Sequence, residues 1–261
     1  MSTTPRERPI LFSGPMVRAI LEGRKAQTRR VVKGVSAETE FAPDFHTNFP
    51  EHGMDAVRFE DGHAVFEYQT GIADTREHRV RCPFGQPGNR LWVKETWRAY
   101  EHSETGVDGI MFQADNAFIP IANTREAADL WAEALHVKAK PKSIRPTLDG
   151  GKYCVWTPKR HAGWRPSRYM PRWASRITLE ITRVRVERVR DITEADAIAE
   201  GVTVATLGNA GWLGPDAPEG AGYSYVPRGF AATWDDINGP RGFGWSVNPW
   251  VWVIDFERIK L

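Results

Sequence analysis

The first clear pattern along the chain is a stretch of helical periodicity that ends at a glycine. Apolar residues recur at helical spacing at Val17, Ile20 and Leu21. Ser13 is placed to cap this helix, and Gly23 has the backbone freedom to end it in a left-handed conformation. The segment 24–30, with its lysine, threonine and three arginines, is therefore expected on a tight loop, where functional groups tend to lie.

Strict alternation over residues 91–97 predicts a β-strand. One face of this strand carries Leu91, Val93, Glu95 and Trp97. A carboxylate on such an apolar face is costly unless it has a partner or a chemical role. Glu95 is therefore expected to be either half of a buried ion pair with an arginine or a functional acid.

The remaining pattern favours an α+β fold with a twisted, barrel-like sheet. Weak strands are predicted at 57–59 and 64–68, stronger ones at 177–186 and 248–259, and helices at 124–137, 194–200 and 230–237. Alternation changes phase between Ile181 and Val184, which indicates a bulge of the kind that helps small barrels close. Thr193 and Asp196 are spaced as a capping box. The stretch 205–228, rich in Gly and Pro, predicts a long loop.

Composition narrows the functional classes. The chain has 261 residues, of which 41% are hydrophobic and 26% charged, as in ordinary globular proteins. No stretch has the length and character of a membrane span or a signal peptide. Two cysteines form no disulfide framework or zinc motif, and the seven histidines lack metal-ligand spacing. A cytoplasmic protein without a metal or other cofactor is expected.

Charge is unevenly distributed although the net charge is only +2. Residues 138–176 contain eleven Lys or Arg residues and a single acid, Asp149, interleaved with aromatic residues. Cations beside rings that can stack are typical of surfaces that bind nucleotides or single-stranded nucleic acid. The alternative is a solvated basic loop whose aromatic side chains anchor it to the protein body.

Four stretches together resemble a known family. They are ILFSGPMVRAILEGRKAQTRR, CPFGQPGNRLWVKETW, MPRWASRITLEI with VRDITEADAIAEGV, and WDDINGPRGFGWSVNPWVWVIDFERI. In this order they resemble the ASCH domain, a PUA-like β-barrel, in the long form often found in phages and prophages. The resemblance covers somewhat under half of the chain. It implies one domain over residues 1–261 with inserts at about 36–80, 100–168 and 203–228.

Some bacterial ASCH proteins are amidohydrolases that convert N4-acetylcytidine to cytidine and acetate. The resemblance places their catalytic lysine, threonine and glutamate at Lys25, Thr28 and Glu95. Ala26 departs from the family pattern, in which threonine is frequent at this position, and could alter hydrogen bonding in the loop. Other members are taken as RNA-binding modules, and ribonuclease activity has been proposed for some, so the family indicates the fold better than the reaction.

The residues allow this chemistry but leave its details open. A neutral lysine could take the proton of Thr28 or of a water, provided that burial or the neighbouring arginines lower its pKa. Glu95 would then serve as an acid for the leaving nitrogen or as an orienting group. Of Arg29 and Arg30, one is expected to pair with a carboxylate and the other to meet the ligand.

Two further residues, Arg172 and Trp173, are candidates for the substrate cleft.

The preferred acyl group is not set by the sequence. The sequence also leaves open whether the substrate is a base, nucleoside, nucleotide or RNA. The choice between acyl-enzyme and direct water attack, the role of the inserts and the oligomeric state stay open as well.

Overall fold

A computed structural model describes residues 5–35, 56–69, 75–101, 107–135, 147–149, 152–154, 163–202 and 225–259. Within these ranges the fold is α+β, with many strands and few helices. The chain divides into two compact units. The first comprises residues 1–8, 19–91 and 178–261, and the second comprises residues 9–18 and 92–177. The expected single domain with inserts stays a prediction.

The largest sheet has five strands in the order β1-β6-β12-β13-β2. These strands are β1 (Glu7–Leu11), β2 (Gln27–Val31), β6 (Arg90–Lys94), β12 (Thr178–Arg188) and β13 (Trp250–Ile259). The long pair β12–β13 is antiparallel, and its register shifts between Ile181 and Arg183. The bulge that the phase change predicts is therefore present. In the described ranges no sheet closes on itself, so the PUA-like barrel stays a prediction.

Two helices pack on strand β13 in the first unit. They are α3 (Glu194–Ala199) and α4 (Tyr225–Asn238). Their buried cluster consists of Val189, Ile192, Ala197, Phe230, Trp234, Val251 and Val253. Both the even and the odd residues of β13 from Val251 to Ile254 are buried, so this strand is covered on both faces. The strand predicted over 248–259 is therefore confirmed.

A second sheet of the first unit has three antiparallel strands in the order β3-β4-β5. They are β3 (Ala56–Glu60), β4 (His63–Gln69) and β5 (Thr75–Arg81), so the two weak strands predicted in the first insert are confirmed. Phe59 and Phe66 of this sheet meet Trp252 and Trp250 edge to face, with ring centroids 6.2 and 5.5 Å apart. These contacts show that the two tryptophans serve packing between the sheets.

The second unit is built on a small antiparallel sheet covered by a helix. The sheet has strands β7 (Trp97–Glu101), β8 (Asp108–Phe112) and β9 (Phe118–Pro120), and α2 spans Arg125–Leu135. Trp131 of α2 is fully buried, and its indole nitrogen donates to the carbonyl oxygen of Gly109 at 2.8 Å. A short hairpin, β10 (Thr147–Asp149) and β11 (Lys152–Cys154), also belongs to this unit.

The remaining helix, α1 (Gly14–Leu21), follows its predicted pattern. Val17 and Ile20 are buried, and the nitrogen of Val17 donates to the carbonyl oxygen of Ser13 at 2.9 Å. Gly23 has a φ of 75°, so the helix ends at a left-handed glycine as expected. Most of the long loop predicted over 205–228 lies outside the described residues, although α4 begins within it.

Candidate functional site

Lys25 lies on the short loop between α1 and β2, and main-chain hydrogen bonds fix this loop on three sides. Its own nitrogen donates to Ala19 O at 3.0 Å, which ties it to the end of α1. The nitrogen of Ala26 donates to Ala199 O at 2.8 Å, and the nitrogen of Phe256 donates to Ala26 O at 2.9 Å. The loop is therefore held by α1, α3 and β13, which leaves the lysine backbone little freedom.

The amine of Lys25 is buried among oxygen atoms rather than exposed to solvent. The residue is 3% exposed, and Nζ donates to Gln27 O at 2.7 Å, Glu200 O at 2.8 Å and Glu200 Oε2 at 2.5 Å. Three acceptors match the three hydrogens of an ammonium group. Burial lowers the pKa of Lys25, whereas the carboxylate of Glu200 acts in the opposite direction.

Glu200 reaches this lysine because α3 ends there. Thr193 caps the helix, with its hydroxyl accepting from the nitrogen of Asp196 at 3.1 Å, so the predicted capping box is confirmed. Gly201 follows Glu200 with a φ of 89°, and a Cβ at this position would lie 3.3 Å from the Cβ of Lys25. A glycine here thus permits α3 to approach the lysine closely.

Arg29 is the centre of a buried ionic network. Its Nη2 lies 2.6 Å from Glu187 Oε1 and 3.2 Å from Asp196 Oδ2, while Nη1 lies 3.6 Å from Glu200 Oε1. Nη1 also donates to Gln27 Oε1 at 2.5 Å. At 2% exposure, Arg29 is therefore the member of the arginine pair that meets carboxylates, and a substrate-binding role for it stays a prediction.

Thr28 lies on a strand, so the prediction that it would lie on the loop is wrong. It is the second residue of β2 and pairs with Ile254 of β13, because the turn after Gly23 is complete by residue 26. Its side chain is fully buried, and Oγ1 accepts a hydrogen bond from Arg30 Nη1 at 2.8 Å. Because the oxygen acts as acceptor here, the hydroxyl hydrogen remains available to a base.

Arg30 thus contacts the hydroxyl of the candidate threonine, which sequence reasoning did not foresee. Its Nη1 also donates to Arg29 O at 3.0 Å. Burial lowers the pKa of Arg30, and Glu200 opposes this shift. A fixed positive charge at this oxygen would favour loss of the threonine proton.

Glu95 belongs to the second unit, where it is 1% exposed just after the end of β6. It is held as half of a buried ion pair, since Oε1 accepts from Arg176 Nε at 2.9 Å and Oε2 from Arg176 Nη2 at 2.8 Å. The same guanidinium reaches Asp115 at 2.9 Å and lies 4.0 Å from the ring centroid of Phe112. Burial raises the pKa of Glu95, and Arg176 opposes that shift.

The all-apolar face predicted around Glu95 is correct, since Leu91, Val93 and Trp97 are buried beside it along the chain. The prediction of a single strand over 91–97 is wrong, because β6 ends at Lys94 and β7 begins at Trp97. Sequence reasoning anticipated an arginine partner for Glu95 but had no signal that pointed to Arg176, 81 residues further along the chain.

Arg172 and Trp173 lie on a short 3-10 turn of the second unit. Arg172 is exposed, whereas Trp173 is half-buried and meets Trp97 edge to face at a centroid distance of 6.0 Å. Trp173 therefore contributes to the core of this unit. Roles for both residues at a substrate cleft stay predictions.

Only part of the basic aromatic stretch 138–176 can be placed, because 138–146, 150–151 and 155–162 lie outside the described residues. In the described part, Arg165 packs over Trp97 at 5.2 Å and donates to Ala134 O, which fits an anchoring role. Tyr169, by contrast, is 65% exposed with Arg168 over its ring at 5.3 Å. Stacking on ligand is thus open to Tyr169 but not to the covered rings.

Two general features concern cofactors and membranes. Among the residues that the structure describes, no three His, Cys, Asp or Glu side chains are grouped so that they could hold a metal ion. No helix in the same ranges is long and apolar enough to cross a membrane.

Comparisons with known proteins leave the family open. No family model, curated protein or solved structure matches this chain. The resemblance to the ASCH domain therefore rests on the four sequence stretches, and the activity that it implies is a proposal.

Proposed function

We propose that this protein is an amidohydrolase that removes acyl groups from N4-acylated cytosine nucleosides or bases, such as N4-acetylcytidine. The observation that carries the proposal is the buried amine of Lys25, whose pKa is lowered by burial, three residues before a fully buried threonine hydroxyl. Lysine is rarely buried without a partner or a function, and a lowered pKa is what a lysine needs to act as a base near neutral pH.

The attacking group in this proposal is the hydroxyl of Thr28 or a water that it positions. Arg30 donates to Thr28 Oγ1 at 2.8 Å, which stabilises negative charge on that oxygen and leaves its hydrogen for a base. The oxygen adds to the acyl carbonyl, the C–N4 bond breaks, and N4 leaves with a proton as the cytosine amine. Water completes the balance by taking the acyl group as acetate, in one step or through an acyl-enzyme.

Lys25 receives the proton of the attacking group, so its amine must first be neutral. Glu200 Oε2, at 2.5 Å from Nζ, is the adjacent acceptor for the proton that the ammonium gives up. The charges that act on this amine come from Glu200, Arg29 and Arg30, of which only Glu200 stabilises the ammonium form. Glu200 thus joins the proposed machinery as the residue that controls the proton of Lys25.

Glu95 is assigned by the resemblance, and its environment is compatible with two roles. A carboxylate that is almost fully buried and has a raised pKa can serve as an acid for the leaving N4. The fork of Arg176 holds both oxygens and leaves each with a further lone pair, so Glu95 can also accept a hydrogen bond from substrate.

The proposal is tested by following the ultraviolet absorbance of N4-acetylcytidine with purified protein, with and without EDTA. Thr28→Val replaces the hydroxyl with a methyl of similar volume, whereas Thr28→Ser keeps the hydroxyl. We expect EDTA-insensitive hydrolysis that Thr28→Val reduces at least about a hundredfold and Thr28→Ser largely retains. No hydrolysis by the wild-type protein, or equal rates for both variants, would overturn the proposal.

The proposal also includes a PUA-like barrel as the fold and RNA binding as an alternative function. The bulge in β12 supports a PUA-like barrel, since bulges bend strands where small barrels close. The alternative function is RNA binding without catalysis or with ribonuclease activity, and the exposed ring of Tyr169 beside Arg168 favours it, because such rings stack on unpaired bases.

A further inference from the structure

A groove of about 650 Å³ lies in the first unit, away from Lys25 and Thr28. Its walls come from the start of β1, the turn between β3 and β4, the end of β5 and the loop before β6. Three strands separate β1 from β2 in the five-stranded sheet, so the groove and Lys25 lie beside opposite edges of that sheet.

The groove is strongly cationic. Arg6, Arg8 and Arg81 line it together with His63, and Asp61 is the single carboxylate among the residues around it. Three guanidinium groups around one cavity repel each other unless negative charge is supplied from outside. The cavity therefore has the electrostatics of an anion site.

Two of these arginines differ from their neighbours in pairing. Among the described residues, Arg6 and Arg81 make no ion pair. On the three-stranded sheet β3-β4-β5, by contrast, Arg58 reaches Glu77 at 2.6 Å and Arg79 reaches Glu60 at 3.7 Å. Within the described residues, the cations on the sheet surface are thus paired with carboxylates, whereas Arg6 and Arg81 beside the groove are not.

The third arginine is fixed in place without losing its charge. Arg8 Nη1 donates to Cys82 O at 3.2 Å and to Pro83 O at 2.6 Å. A guanidinium has five N–H donors, so three remain for a ligand. Because these bonds already hold the side chain, little rotamer entropy would be lost on binding.

The loop before β6 gives the groove a rigid wall. Gly85 has a φ of 113°, and a Cβ there would come within 2.6 Å of Asn89 Oδ1, which also accepts from the nitrogen of Gln86 at 3.3 Å. A Cβ at Gly62, in the facing turn, would lie 3.2 Å from Gln86 Oε1. The loop before β6 is thus tightly wound at Gly85, and the tip of the Gln86 side chain lies close to the facing turn at Gly62.

We propose that this groove binds the phosphate group of a nucleotide or of a nucleic-acid chain. Planar guanidinium groups match phosphate oxygens with paired hydrogen bonds, and several of them around one cavity favour a doubly charged or repeated anion over a simple carboxylate. The inference goes beyond the proposed amidohydrolase, whose nucleoside substrate carries no phosphate, and it stands or falls separately from it.

The test compares three probes on the full-length protein: cytidine, cytidine monophosphate and a fluorescent decauridylate. The groove variant is Arg6→Gln/Arg81→Gln. The matched control is Arg58→Gln/Arg79→Gln, which makes the same change in net charge on the three-stranded sheet. We expect the groove variant to bind cytidine monophosphate about tenfold more weakly, which corresponds to the loss of roughly one charge-assisted hydrogen bond. Binding of cytidine should be unchanged.

The outcomes separate the sources of phosphate. A loss seen with cytidine monophosphate assigns the groove to free nucleotides, and a loss confined to decauridylate assigns it to a nucleic-acid chain. Equal affinities of the groove and control variants for both phosphate probes, or no binding of either probe by the wild-type protein, would overturn the proposal.

Hydrolysis of N4-acetylcytidine is measured on the same proteins and should be unchanged in the groove variant. If the wild-type protein does not hydrolyse this compound, the proposed amidohydrolase fails while the binding comparison still decides the role of the groove. Thermal midpoints of both variants show that they are folded.

Discussion

Lys25 and Glu200 depend on each other because both side chains are withdrawn from water. Their side chains are 0% and 5% exposed, and the charged atoms lie 2.5 Å apart. Removing one partner of such a pair leaves an uncompensated buried charge, whereas replacing both with neutral groups of similar size costs far less. This asymmetry separates the chemical role of the lysine from its contribution to stability.

We expect Lys25→Met to lower the free energy of unfolding by about 3 kcal/mol or more, since Glu200 then stays buried without its cation. The double variant Lys25→Met/Glu200→Gln should recover most of that loss while remaining inactive. Urea denaturation measures the stability and the ultraviolet assay measures activity. Hydrolysis by the stable double variant would show that the amine of Lys25 is not needed.

Glu200→Gln is expected to change the pH dependence of hydrolysis in a defined direction. Burial lowers the pKa of Lys25, and the carboxylate of Glu200 partly offsets this shift. Removing that carboxylate should therefore lower the pKa of Lys25 further, because the charges of Arg29 and Arg30 stay in place. A base works when it is deprotonated, so the acidic limb of kcat/KM should move to lower pH.

The profile of kcat/KM against pH, recorded for wild type and Glu200→Gln, provides the measurement. Asp255→Asn serves as the control, because Asp255 contacts Gln27 and Arg185 but is not among the charges that act on the lysine amine. An acidic limb that stays in place in Glu200→Gln would mean that a group other than Lys25 titrates in catalysis.

At the scale of elements, local signals in the sequence located the pieces that flank the site. The glycine end of α1, the cap of α3 at Thr193 and the bulge in β12 all follow from short-range rules and are confirmed. The position of Thr28 on a strand was missed, because pairing with β13 is a long-range effect that outweighs the local loop signal.

The partners of the buried charges could not be predicted for the same reason. Glu200 meets Lys25 across 175 positions and Arg176 meets Glu95 across 81. Sequence alone indicated that Glu95 needed a partner or a chemical role, but no local signal pointed to Arg176 or to Glu200, because only the tertiary fold brings them to their partners. In the helix α2 the fold also decides which apolar residue is buried, since Leu130 is 37% exposed while its neighbour Trp131 is fully buried.

The capping box of α3 gives a prediction at this scale. Thr193→Ala removes the hydroxyl that accepts from Asp196 N and should lower the free energy of unfolding by about 1 kcal/mol. Thr193→Ser keeps the acceptor and should be close to neutral. Chemical denaturation of both variants decides this, and equal stability of alanine and serine at position 193 would contradict it.

The hairpin β7–β8 places two acids directly opposite each other. Asp108 pairs in register with Glu101, and burial together with this neighbour raises the pKa of Asp108 to about 7. In the unfolded chain this carboxyl has its ordinary pKa of 3.8, so its stabilising contribution is complete below that pH and is lost as pH rises to about 7.

Asp108→Asn should therefore stabilise the protein at pH 8 and have less effect at pH 4. Solvent screens a half-buried group, so a gain of about 1 kcal/mol is expected. Urea unfolding at both pH values measures it, with Asp129→Asn on the exposed side of α2 as the control. A gain that is the same at pH 4 and pH 8 would rule out the ionisation of Asp108 as its cause.

At the scale of the whole molecule, a net charge of +2 conceals two concentrations of basic residues, one around the groove and one in the sequence of residues 138–176. Clusters of positive charge act on phosphates and have little effect on an uncharged nucleoside. Ionic strength therefore distinguishes catalysis on nucleosides from binding of nucleic acid, because each neutralised phosphate releases counterions.

Raising salt from about 50 to about 200 mM should weaken binding of a single-stranded oligonucleotide about sevenfold if two phosphates are contacted, from the known slope for single strands. Hydrolysis of N4-acetylcytidine should change far less over the same range, since its substrate carries no charge. Fluorescence anisotropy and the ultraviolet assay, run in the same buffers, provide both curves. If the rate of hydrolysis fell in parallel with binding, turnover would depend on phosphate contacts. That result would favour an RNA substrate over a free nucleoside. Salt-sensitive binding with no hydrolysis at either salt concentration would favour the non-catalytic RNA-binding alternative, with Lys25 and Glu200 as a structural pair.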